Sequence, residues 1–465
     1  MNVFIKEISS NNSPNQQNPF VVVLGAGESG VGAAILAKRK GYQVFVSDMG
    51  MIKDIYKREL LENNIDFEES GHNENFILEK AALVIKSPGI PDKAPLVKAL
   101  KEKGIEIIDE LEFATRFSKA KIIAVTGSNG KTTTTRLIYH ILESAGFDVG
   151  LAGNVGFSLA KQVAEGDRAY YAVEVSSFQL DGCTKFRPYI GILTNITPDH
   201  LDRYEYKLEN YIGSKFRIAQ NKQAEDIFIY NAEDENIAFG FGKFWKQEGN
   251  EGCIPVSMSA LASDSEYLVV KHSDFSIKKS DLTIQGWHNR FNISCAVLAA
   301  KQLGIDNEKI SEALSTFVNE AHRLESVCTI NGVEYINDSK ATNVDSVFYA
   351  LEAMTKPVLW IVGGVDKGND YSPLFDLAEK KVKAVICMGK DNEKILNAFK
   401  NKIEIIVESG SMQEALKAAS LYANSGDVVL LSPACASFDL FNNYQHRGNV
   451  FKEILSSAMA ELENK

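Results

Sequence analysis

The sequence has no feature that marks a disulfide-stabilised, membrane-spanning or nucleic-acid-coating protein. Its six cysteines are scattered and none has C-x-x-C spacing, so neither a disulfide framework nor a zinc site is indicated, and we expect reduced thiols. It has no apolar run of about 18 residues, and its start lacks a basic segment followed by a long apolar core. We therefore expect a cytoplasmic chain without membrane insertion. Acidic residues outnumber basic ones, 61 to 50, which argues against a general nucleic-acid surface but allows a local phosphate pocket.

What is present is an alternation of strand-like and helix-like segments over 465 residues, of which 45% are hydrophobic and 24% charged. This alternation is typical of βαβ units and parallel sheets, and the length predicts three domains at about 100–200 residues each. We predict an α/β fold with a Rossmann-like N-terminal domain, a central P-loop-type domain with a mostly parallel sheet, and a Rossmann-like C-terminal domain, at residues 1–109, 110–319 and 320–465. Residues 9–19 are predicted to be a polar, disordered lead-in.

A glycine-rich loop at residues 126–133 follows the apolar run 122–125 and precedes a helical pattern. Glycines let successive backbone N–H groups turn toward an anion, and the N-terminus of the next helix favours negative charge. Only two residues separate Gly127 from Gly130, so this is a shortened variant of the common G-x-x-x-x-G-K-[ST] loop. With a lysine as mobile cation and a threonine hydroxyl for Mg²⁺, the loop predicts a phosphate site formed by Gly127, Ser128, Asn129, Gly130, Lys131, Thr132 and Thr133.

A second glycine loop carries Gly25, Gly27 and Gly30, and Asp48 closes the next strand-like run 48 − 30 = 18 residues later. This spacing fits the dinucleotide fingerprint and, taken alone, suggests NAD. The physical requirement, however, is a diphosphate near a helix N-terminus and not a nicotinamide, so any nucleotide diphosphate qualifies. A tight strand-to-helix turn without a ligand remains the structural alternative.

Two polar residues lie at the carboxyl ends of strand-like runs in the central block. Glu174 ends one apolar run, and His200 follows the buried run 189–195. Ligands of open α/β sheets bind at that edge, where a carboxylate and an imidazole could hold Mg²⁺ beside phosphates. For either residue alone a cap or a satisfied hydrogen bond is the commoner explanation, but their joint presence beside a phosphate loop favours the metal.

Three long motifs, at residues 126–133, 174–180 and 195–204, resemble the Mur ligases, which are ATP-dependent amide-forming ligases of peptidoglycan precursor synthesis. The runs 432–439 and 445–448 resemble the members that add D-glutamate to UDP-N-acetylmuramoyl-L-alanine. The resemblance extends from about residue 21 to residue 451. It implies that ATP phosphorylates the L-alanyl carboxylate and that the D-glutamate amine then displaces phosphate. A monomer is expected.

The resemblance also assigns the first glycine loop to the uridine diphosphate of the substrate and not to NAD. The residues it implies for this substrate are Gly25, Gly27, Ser29, Gly30, Asp48, Ser87, Pro88, Gly89, Asn154, Ser176 and His200.

For ATP, the resemblance implies that Lys131 contacts the γ-phosphate and that Asn289 and Asn292 lie in the segment that meets ATP, with Asn292 nearest the adenine. It also implies that Arg323 and Asp338 contact the nucleotide. Two Mg²⁺ ions are implied, arranged by Thr132, Glu174, His200 and a carboxylated Lys215. An ammonium near Mg²⁺ is repelled, whereas a carbamate reverses the sign of the interaction.

The resemblance places Lys340 and Thr342 at the reacting centre and implies a D-glutamate pocket of Lys367, Ser437, Phe438 and Tyr444. The residues it implies in catalysis are Lys131, His200, Lys215, Asp338 and Lys340. His200 and Asp338 both remain candidates for accepting the amine proton.

Three alternatives stay open. A nicotinamide-dependent dehydrogenase would use the first glycine loop but leaves Lys131, Glu174 and His200 unexplained. A nucleotide-switch or motor ATPase would use Lys131 but not the first glycine loop. Another amino-acid ligase of the Mur and folylpolyglutamate superfamily differs in its substrate, and only the C-terminal motif argues against it.

Overall fold

The computed structural model describes residues 19–247, 249–261, 266–284 and 286–463. The predicted polar lead-in at residues 9–19 lies outside these residues except for Pro19. By its internal contacts the chain divides into two compact units. The first comprises Met1–Thr126, Phe147–Gly191 and Gly213–Asp226, and the second comprises Gly127–Gly146, Ile192–Ile212 and Ile227–Lys465.

The first unit begins with a five-stranded parallel sheet in the order β3-β2-β1-β4-β5. Val22 of β1 pairs with Phe45 of β2 on one side and Val84 of β4 on the other. The apolar run of β1 is buried on both faces because helices follow the strands and cover the sheet. The strands are β1 Phe20–Leu24, β2 Gln43–Ser47, β3 Asp66–Glu68, β4 Leu83–Lys86 and β5 Glu106–Ile108, and the helices are Glu28–Arg39, Asp54–Glu62, Glu74–Lys80, Pro95–Glu102 and Glu110–Thr115.

Three further strands complete the first unit, β6 Lys121–Thr126, β7 Val149–Gly153 and β8 Tyr170–Glu174, with parallel pairing of β8 to both β6 and β7. Its short helices are Leu159–Glu165 and Ser177–Asp181. The strand β9 Ile190–Leu193 and the helix Leu208–Phe216 lie at junctions between the chain segments of the two units.

The second unit holds the parallel pair β10 Ile227–Asn231 and β11 Cys253–Val256, and the antiparallel hairpin β12 Tyr267–Val269 and β13 Ser276–Lys278. The helices around them are Lys131–Ser144, Glu235–Phe244, Met258–Leu261, Trp287–Gln302 and Asn307–Thr316.

The last part of the second unit is a six-stranded mixed sheet in the order β14-β15-β19-β16-β17-β18, antiparallel only between β14 and β15. Alternate residues of β16 enter two cores, Trp360 on one face and Leu359 on the other, which explains the uninterrupted apolar run. The strands are β14 Glu325–Ile330, β15 Val333–Asn337, β16 Val358–Val362, β17 Val382–Met388, β18 Ile405–Ser409 and β19 Val428–Leu431. The helices are Val344–Ala353, Phe375–Lys381, Glu393–Phe399, Met412–Tyr422 and Tyr444–Glu463.

Two sequence expectations can be compared directly with these elements. No disulfide joins the six cysteines, all of which lie in the described part of the chain. Among the described residues, none of the helices has the length and apolar character needed to cross a bilayer.

A buried carboxylate anchors the short helix Glu110–Thr115 in the first unit. Glu110 Oε1 accepts hydrogen bonds from Ser158 Oγ at 2.8 Å and from the Ala160 backbone N–H at 2.6 Å, whereas its buried Oε2 has no hydrogen-bond partner. Burial raises the pKa of Glu110 from 4.5 to about 7, although the hydrogen bonds from Ala160 and Ser158 oppose the shift.

We expect Glu110→Gln to stabilise the fold at alkaline pH. The pKa of Glu110 is higher in the folded state than in the unfolded state, so the wild-type carboxyl makes its full contribution to the free energy of unfolding below pH 4.5, where it is protonated in both states. That contribution is lost as the pH rises to about 7. The neutral amide keeps the acceptor for Ser158 and avoids the charge. Its advantage in free energy of unfolding should grow from under about 1 kcal/mol at pH 5 to about 3 kcal/mol at pH 8, as measured by urea denaturation. The exposed Glu62→Gln is the control, and an equal gap at both pH values would contradict the prediction.

Candidate active site

The phosphate loop follows β6 and opens the helix Lys131–Ser144. Gly130 lies just before the helix at φ 83°, and a Cβ there would come within 2.5 Å of Asn292 Oδ1, so this position needs glycine. The ammonium of Lys131 donates to the carbonyl oxygens of Gly127 and Ser128, both at 2.9 Å. The cation thus lies directly over the loop that the sequence predicts to bind phosphates.

The segment after β9 holds this loop in shape. The backbone N–H of Asn129 donates to Asn195 Oδ1 at 2.9 Å, and Ser128 Oγ both donates to the Thr197 carbonyl and accepts from its N–H at 2.9 Å. The segment that follows β9 therefore fixes the positions of Ser128 and Asn129. Sequence reasoning included residues 195–197 in a motif but gave them no role.

A cavity in the second unit joins the loop to later parts of the chain. Of the predicted nucleotide residues, Asn129, Gly130, Thr133, Asn292, Arg323 and Asp338 line it. Asn289, from the segment that the resemblance implies for ATP, lines it as well. The other lining residues were not predicted: Thr194, Asn195, Asn231, His288, Phe291, Asn319, Leu324, Ser346, Tyr349 and Ala350.

Two of the rings that line this cavity are His288, near the start of the helix Trp287–Gln302, and Tyr349, in the helix Val344–Ala353. Tyr349 packs edge-on against Trp287 at 5.4 Å between ring centroids and lies 5.2 Å from the His288 ring. Burial, reinforced by the Arg323 charge, lowers the pKa of His288 to about 4, so this imidazole is neutral at physiological pH. A cavity lined by both amide side chains and aromatic rings suits a nucleotide base.

The loop between β15 and the helix Val344–Ala353 meets the phosphate loop. Lys340 Nζ lies 3.2 Å from Thr132 Oγ1 and also pairs with the Glu320 carboxylate. Asn343 Nδ2 and Ser346 Oγ donate to Asn129 Oδ1 at 3.2 and 2.9 Å. The N–H of Thr342 donates to the Lys340 carbonyl oxygen at 3.0 Å, so this predicted residue lies in the same turn.

Asp338 lies buried at the end of β15 and holds two neighbouring segments. Its Oδ2 accepts from Ser432 Oγ at 2.8 Å and its Oδ1 from the Leu324 N–H at 3.2 Å. Burial raises its pKa to about 7, while Ser432 and the Arg323 charge act in the opposite direction. A carboxyl that titrates near neutrality at a cavity wall is a candidate for proton transfer.

His200 adopts the left-handed backbone conformation, with φ 52°, beside a carboxylate that sequence reasoning gave no role. Its Nε2 is 3.5 Å from Asp199 Oδ2, and Lys367 Nζ is 3.5 Å from Asp199 Oδ1. Burial would raise the pKa of Asp199, but the charges of His200, Lys367 and Lys131 outweigh it and hold the pKa below its usual value. Asp199 thus brings together two predicted residues, His200 and Lys367.

The predicted D-glutamate residues lie around the turns after β16 and β19. Asp366 shapes the Lys367 turn, because its carboxylate accepts the Gly368 N–H at 2.6 Å and the Tyr371 hydroxyl at 2.9 Å. Ser437 is buried, whereas 72% of Phe438 is exposed. Tyr444 begins the last helix.

One buried arginine that the prediction omitted holds these turns together. Arg447 donates from Nε to Ser339 Oγ at 3.0 Å, and from NH2 to the carbonyl oxygens of Ser339 at 2.9 Å and Cys435 at 3.2 Å. Burial lowers its pKa to about 10, so it remains charged at neutral pH. Its guanidinium fork links the loops that carry Lys340 and Ser437.

We expect Arg447→Lys to destabilise the fold by about 3 kcal/mol. An ammonium cannot reproduce the planar fork, so some of the carbonyls that Arg447 reaches lose their charged donor. The change should be measured as the free energy of unfolding in urea, with the exposed Arg58→Lys as control. Equal stability of both variants would show that Arg447 does not hold these loops.

In the first unit, Glu174 ends β8 and is nearly fully buried. Its Oε1 accepts from Asn154 Nδ2 at 2.7 Å, while its buried Oε2 has no hydrogen-bond partner. Lys215 is 1% exposed in the helix Leu208–Phe216. Ser176 caps the helix Ser177–Asp181 in a reciprocal pair with Gln179, which is a structural role for a residue predicted to bind substrate.

The predicted Mg²⁺ ligands are divided between the units, with Glu174 and Lys215 in the first and Thr132 and His200 in the second. Within the described residues, no three His, Cys, Asp or Glu side chains form a group that could hold a metal ion. Glu174 nevertheless suits a divalent cation, because its carboxylate oxygen Oε2 is an orphaned buried acceptor.

The first glycine turn lies where the order of the N-terminal sheet reverses, between β1 and β4. A Cβ on Gly30 would come within 1.9 Å of the Gly25 carbonyl oxygen, so the helix can approach the turn only with glycine there. Asp48 accepts from the N–H groups of Ala26 at 2.6 Å and Gly50 at 2.8 Å. The other predicted residues lie in this turn, in the first turn of the helix, or in the turn after β4: Gly27, Ser29, Ser87, Pro88 and Gly89.

Comparison with family models shows three matches in chain order. Residues 19–109 match the Mur ligase MurD-like N-terminal domain, residues 125–300 the Mur ligase middle domain, and residues 322–435 the Mur ligase glutamate ligase domain. The chain belongs to the Mur ligase family. The resemblance read from residues 126–204 is thereby confirmed.

Curated relatives of this Mur ligase align over almost their whole length. The UDP-N-acetylmuramoylalanine–D-glutamate ligase of Christiangramia forsetii is 51% identical over 442 residues, which are 93% of this chain and 98% of the relative. The protein of the same name from Porphyromonas gingivalis is 50% identical over 448 residues, which are 94% of this chain and 98% of the relative.

Solved structures place this Mur ligase in the same fold. The UDP-N-acetylmuramate-alanine ligase of Thermotoga maritima has a TM-score of 0.58 at 18% identity, covering 95% of this chain and 99% of its own. A pseudomurein peptide ligase type C from Methanothermus fervidus has a TM-score of 0.60 at 19% identity, covering 95% and 100%. The predicted three-domain α/β class is confirmed, with the refinement that the C-terminal sheet is mixed.

Proposed function

We propose that this Mur ligase uses ATP to join D-glutamate to UDP-N-acetylmuramoyl-L-alanine, through an acyl phosphate, in peptidoglycan precursor synthesis. The observation that carries the proposal is the identity of about half of all residues with ligases named for this reaction, over more than nine-tenths of the chain. The phosphate loop and its cavity supply the ATP site that the reaction requires.

In this proposal the phosphates of ATP lie on the loop 127–133, with Lys131 exchanging its two carbonyl contacts for the γ-phosphate. The base enters the cavity beside Asn292 and Tyr349, and Arg323 and Asp338 contact the nucleotide from the last part of the chain. Lys340, whose Nζ is 3.2 Å from Thr132 Oγ1, would stabilise the later tetrahedral intermediate. Positioning and charge neutralisation account for most of the rate enhancement.

The proposed magnesium ligands are Thr132, Glu174, His200 and Lys215, arranged around two ions. Bound Mg²⁺ would neutralise the phosphate oxygens of the nucleotide. The buried ammonium of Lys215 would be repelled by about 8 kcal/mol at 4 Å from a divalent cation at an effective dielectric of about 20, so we propose that this lysine is carboxylated. Mass spectrometry of the intact protein in CO₂-buffered solution tests the carbamate.

For the second substrate, we propose that Lys367 binds a carboxylate of D-glutamate and that Ser437, Phe438 and Tyr444 complete the pocket. Asp199 supports the proposal, because its carboxylate lies 3.5 Å from both Lys367 and His200 and so brings these two side chains near one another. Either His200 or Asp338 accepts the amine proton.

The substrate's uridine diphosphate is proposed to lie on the turn 25–30, with Asp48 and residues 87–89 beside it and Asn154 and Ser176 contributing from the central part. We propose domains at 1–109, 110–319 and 320–465, a monomeric state and a cytoplasmic location. The free cysteines support only the location, because disulfides are rare in a reducing compartment.

The test is phosphate release from ATP with UDP-N-acetylmuramoyl-L-alanine and one of D-glutamate, L-glutamate, L-lysine or meso-diaminopimelate, with the product identified by mass. Turnover with D-glutamate alone is expected. Turnover only with another amino acid would make this a sister ligase, and phosphate release without any amide product would favour a simple ATPase.

A further inference from the structure

Three polar side chains form a hydrogen-bonded chain at the end of the N-terminal sheet, next to the proposed uridine diphosphate site. The hydroxyl of Ser47, a fully buried residue at the end of β2, lies 2.6 Å from Glu68 Oε1 and 2.6 Å from His72 Nδ1. Glu68 Oε1 also accepts the Asn73 N–H at 2.8 Å. These contacts fix the position of the His72 ring.

The proton count decides which nitrogen of His72 carries hydrogen. The Ser47 hydroxyl has one proton, and the Glu68 carboxylate can only accept, so that proton goes to Glu68. Ser47 Oγ must then accept from Nδ1–H of His72. When the ring is neutral, Nε2 keeps a lone pair, for which no hydrogen bond is found within the described part of the chain. In that form Nε2 is a hydrogen-bond acceptor.

The segment that carries His72 lies beside the end of β2, which in turn lies beside the glycine turn. The Gly25 N–H donates to the Ser47 carbonyl at 2.9 Å, and the Gly71 N–H donates to the Asp48 carbonyl at 3.3 Å. If the diphosphate lies on the turn after β1, the ribose lies at the end of β2. Because β3 is the next strand in the sheet, the base would then lie near β3 and residues 70–72.

Two exposed thioether side chains follow β2, and one of them lies beside the His72 segment, because Ser70 Oγ is 3.4 Å from Met51 Sδ. Met49 and Met51 follow β2 and are 65% and 75% exposed. Exposed thioether side chains at a strand end give a polarizable face for an aromatic ring. A polar acceptor beside an apolar platform is the usual composition of a site that orients a base.

We propose that His72 determines base specificity, with Nε2 accepting the N3–H of uracil. This inference rests on the proposed function, since it assumes a uridine diphosphate substrate. Cytosine carries a lone pair at N3 in place of a proton, so a locked Nε2 acceptor would face a second acceptor and disfavour it. The Ser47–Glu68 pair enforces the discrimination by keeping the proton on Nδ1.

The test compares the affinities of the full-length protein for UDP and CDP by isothermal titration calorimetry. Wild type is expected to prefer UDP, and His72→Ala should reduce the UDP-to-CDP affinity ratio about tenfold. Ser47→Ala, which releases the tautomer, should reduce the ratio less. His140→Ala, which removes a histidine bonded to Thr316 away from this site, is the matched control and should keep the wild-type ratio.

An unchanged ratio in His72→Ala overturns the inference, as does wild-type protein that binds neither nucleotide or both equally. The readout is independent of amide formation. If turnover with D-glutamate fails while the UDP preference still depends on His72, the proposed reaction is wrong and the base contact stands. If turnover succeeds while His72→Ala leaves the affinity ratio unchanged, only the base contact is wrong.

Discussion

Lys131→Met is expected to lower the turnover number at least about 1000-fold. Methionine keeps the length of the side chain but removes the charge that now rests on the carbonyl oxygens of Gly127 and Ser128. In the proposed reaction this charge stabilises the oxygens of the transferring phosphoryl group, so the loss falls on the chemical step. Single-turnover measurement of ADP formation separates that step from nucleotide binding.

The exposed Lys271→Met is the matched control, because it removes one positive charge from the same unit at a position that lines no part of the cavity. It should retain wild-type turnover. Turnover of Lys131→Met within tenfold of wild type would mean that the loop does not carry the reacting phosphate.

Glu174→Gln is expected to raise the Mg²⁺ concentration for half-maximal activity at least about tenfold and to reduce the maximal rate about 100-fold. The amide keeps the acceptor for Asn154, which is 2.7 Å from Oε1, so the fold should be unaffected. It replaces the orphaned Oε2 by a donor that repels a cation. A Mg²⁺ titration of activity, paired with the thermal midpoint, measures both effects.

Glu352→Gln offers a close control, since Glu352 also has a buried carboxylate oxygen without a hydrogen-bond partner but lies in the helix Val344–Ala353 outside the proposed metal set. Its Mg²⁺ titration should match wild type. If both variants behave alike, the orphaned oxygen of Glu174 reflects burial and not a metal site.

Most strands could be predicted from the sequence, because strands that are buried on both faces consist of uninterrupted apolar residues. β16 is the clearest case, with all five of its residues buried. The antiparallel edge of the last sheet was not predicted, although a local signal exists. Asn331 and Gly332 form the two-residue turn between β14 and β15, with φ of 51° and 77°. Asn-Gly with both φ values positive is the preferred turn of a two-residue hairpin.

The site residues that were not predicted were missed for a different reason. Asp199, Arg447 and Tyr349 act through partners that are distant in the chain, such as Lys367, Ser339 and Trp287. Glycine spacing and a lysine in a loop are local patterns, and they identified the phosphate loop. The buried Arg447 reaches Ser339, Gly363 and Cys435, in the turns after β15, β16 and β19. It has no local pattern, because its role depends on how these three strands assemble.

The contacts of Lys131 also affect inhibition by orthophosphate, a product of the proposed reaction. The Lys131 ammonium already donates to the carbonyl oxygens of Gly127 and Ser128, each 2.9 Å away, so full engagement of a phosphate by its donors requires an exchange with these contacts. A nucleoside triphosphate offsets that exchange with base and ribose contacts in the cavity, whereas free orthophosphate brings no such contacts. The loop should therefore be a poor trap for orthophosphate, and product inhibition by this ion should be weak even at millimolar concentrations.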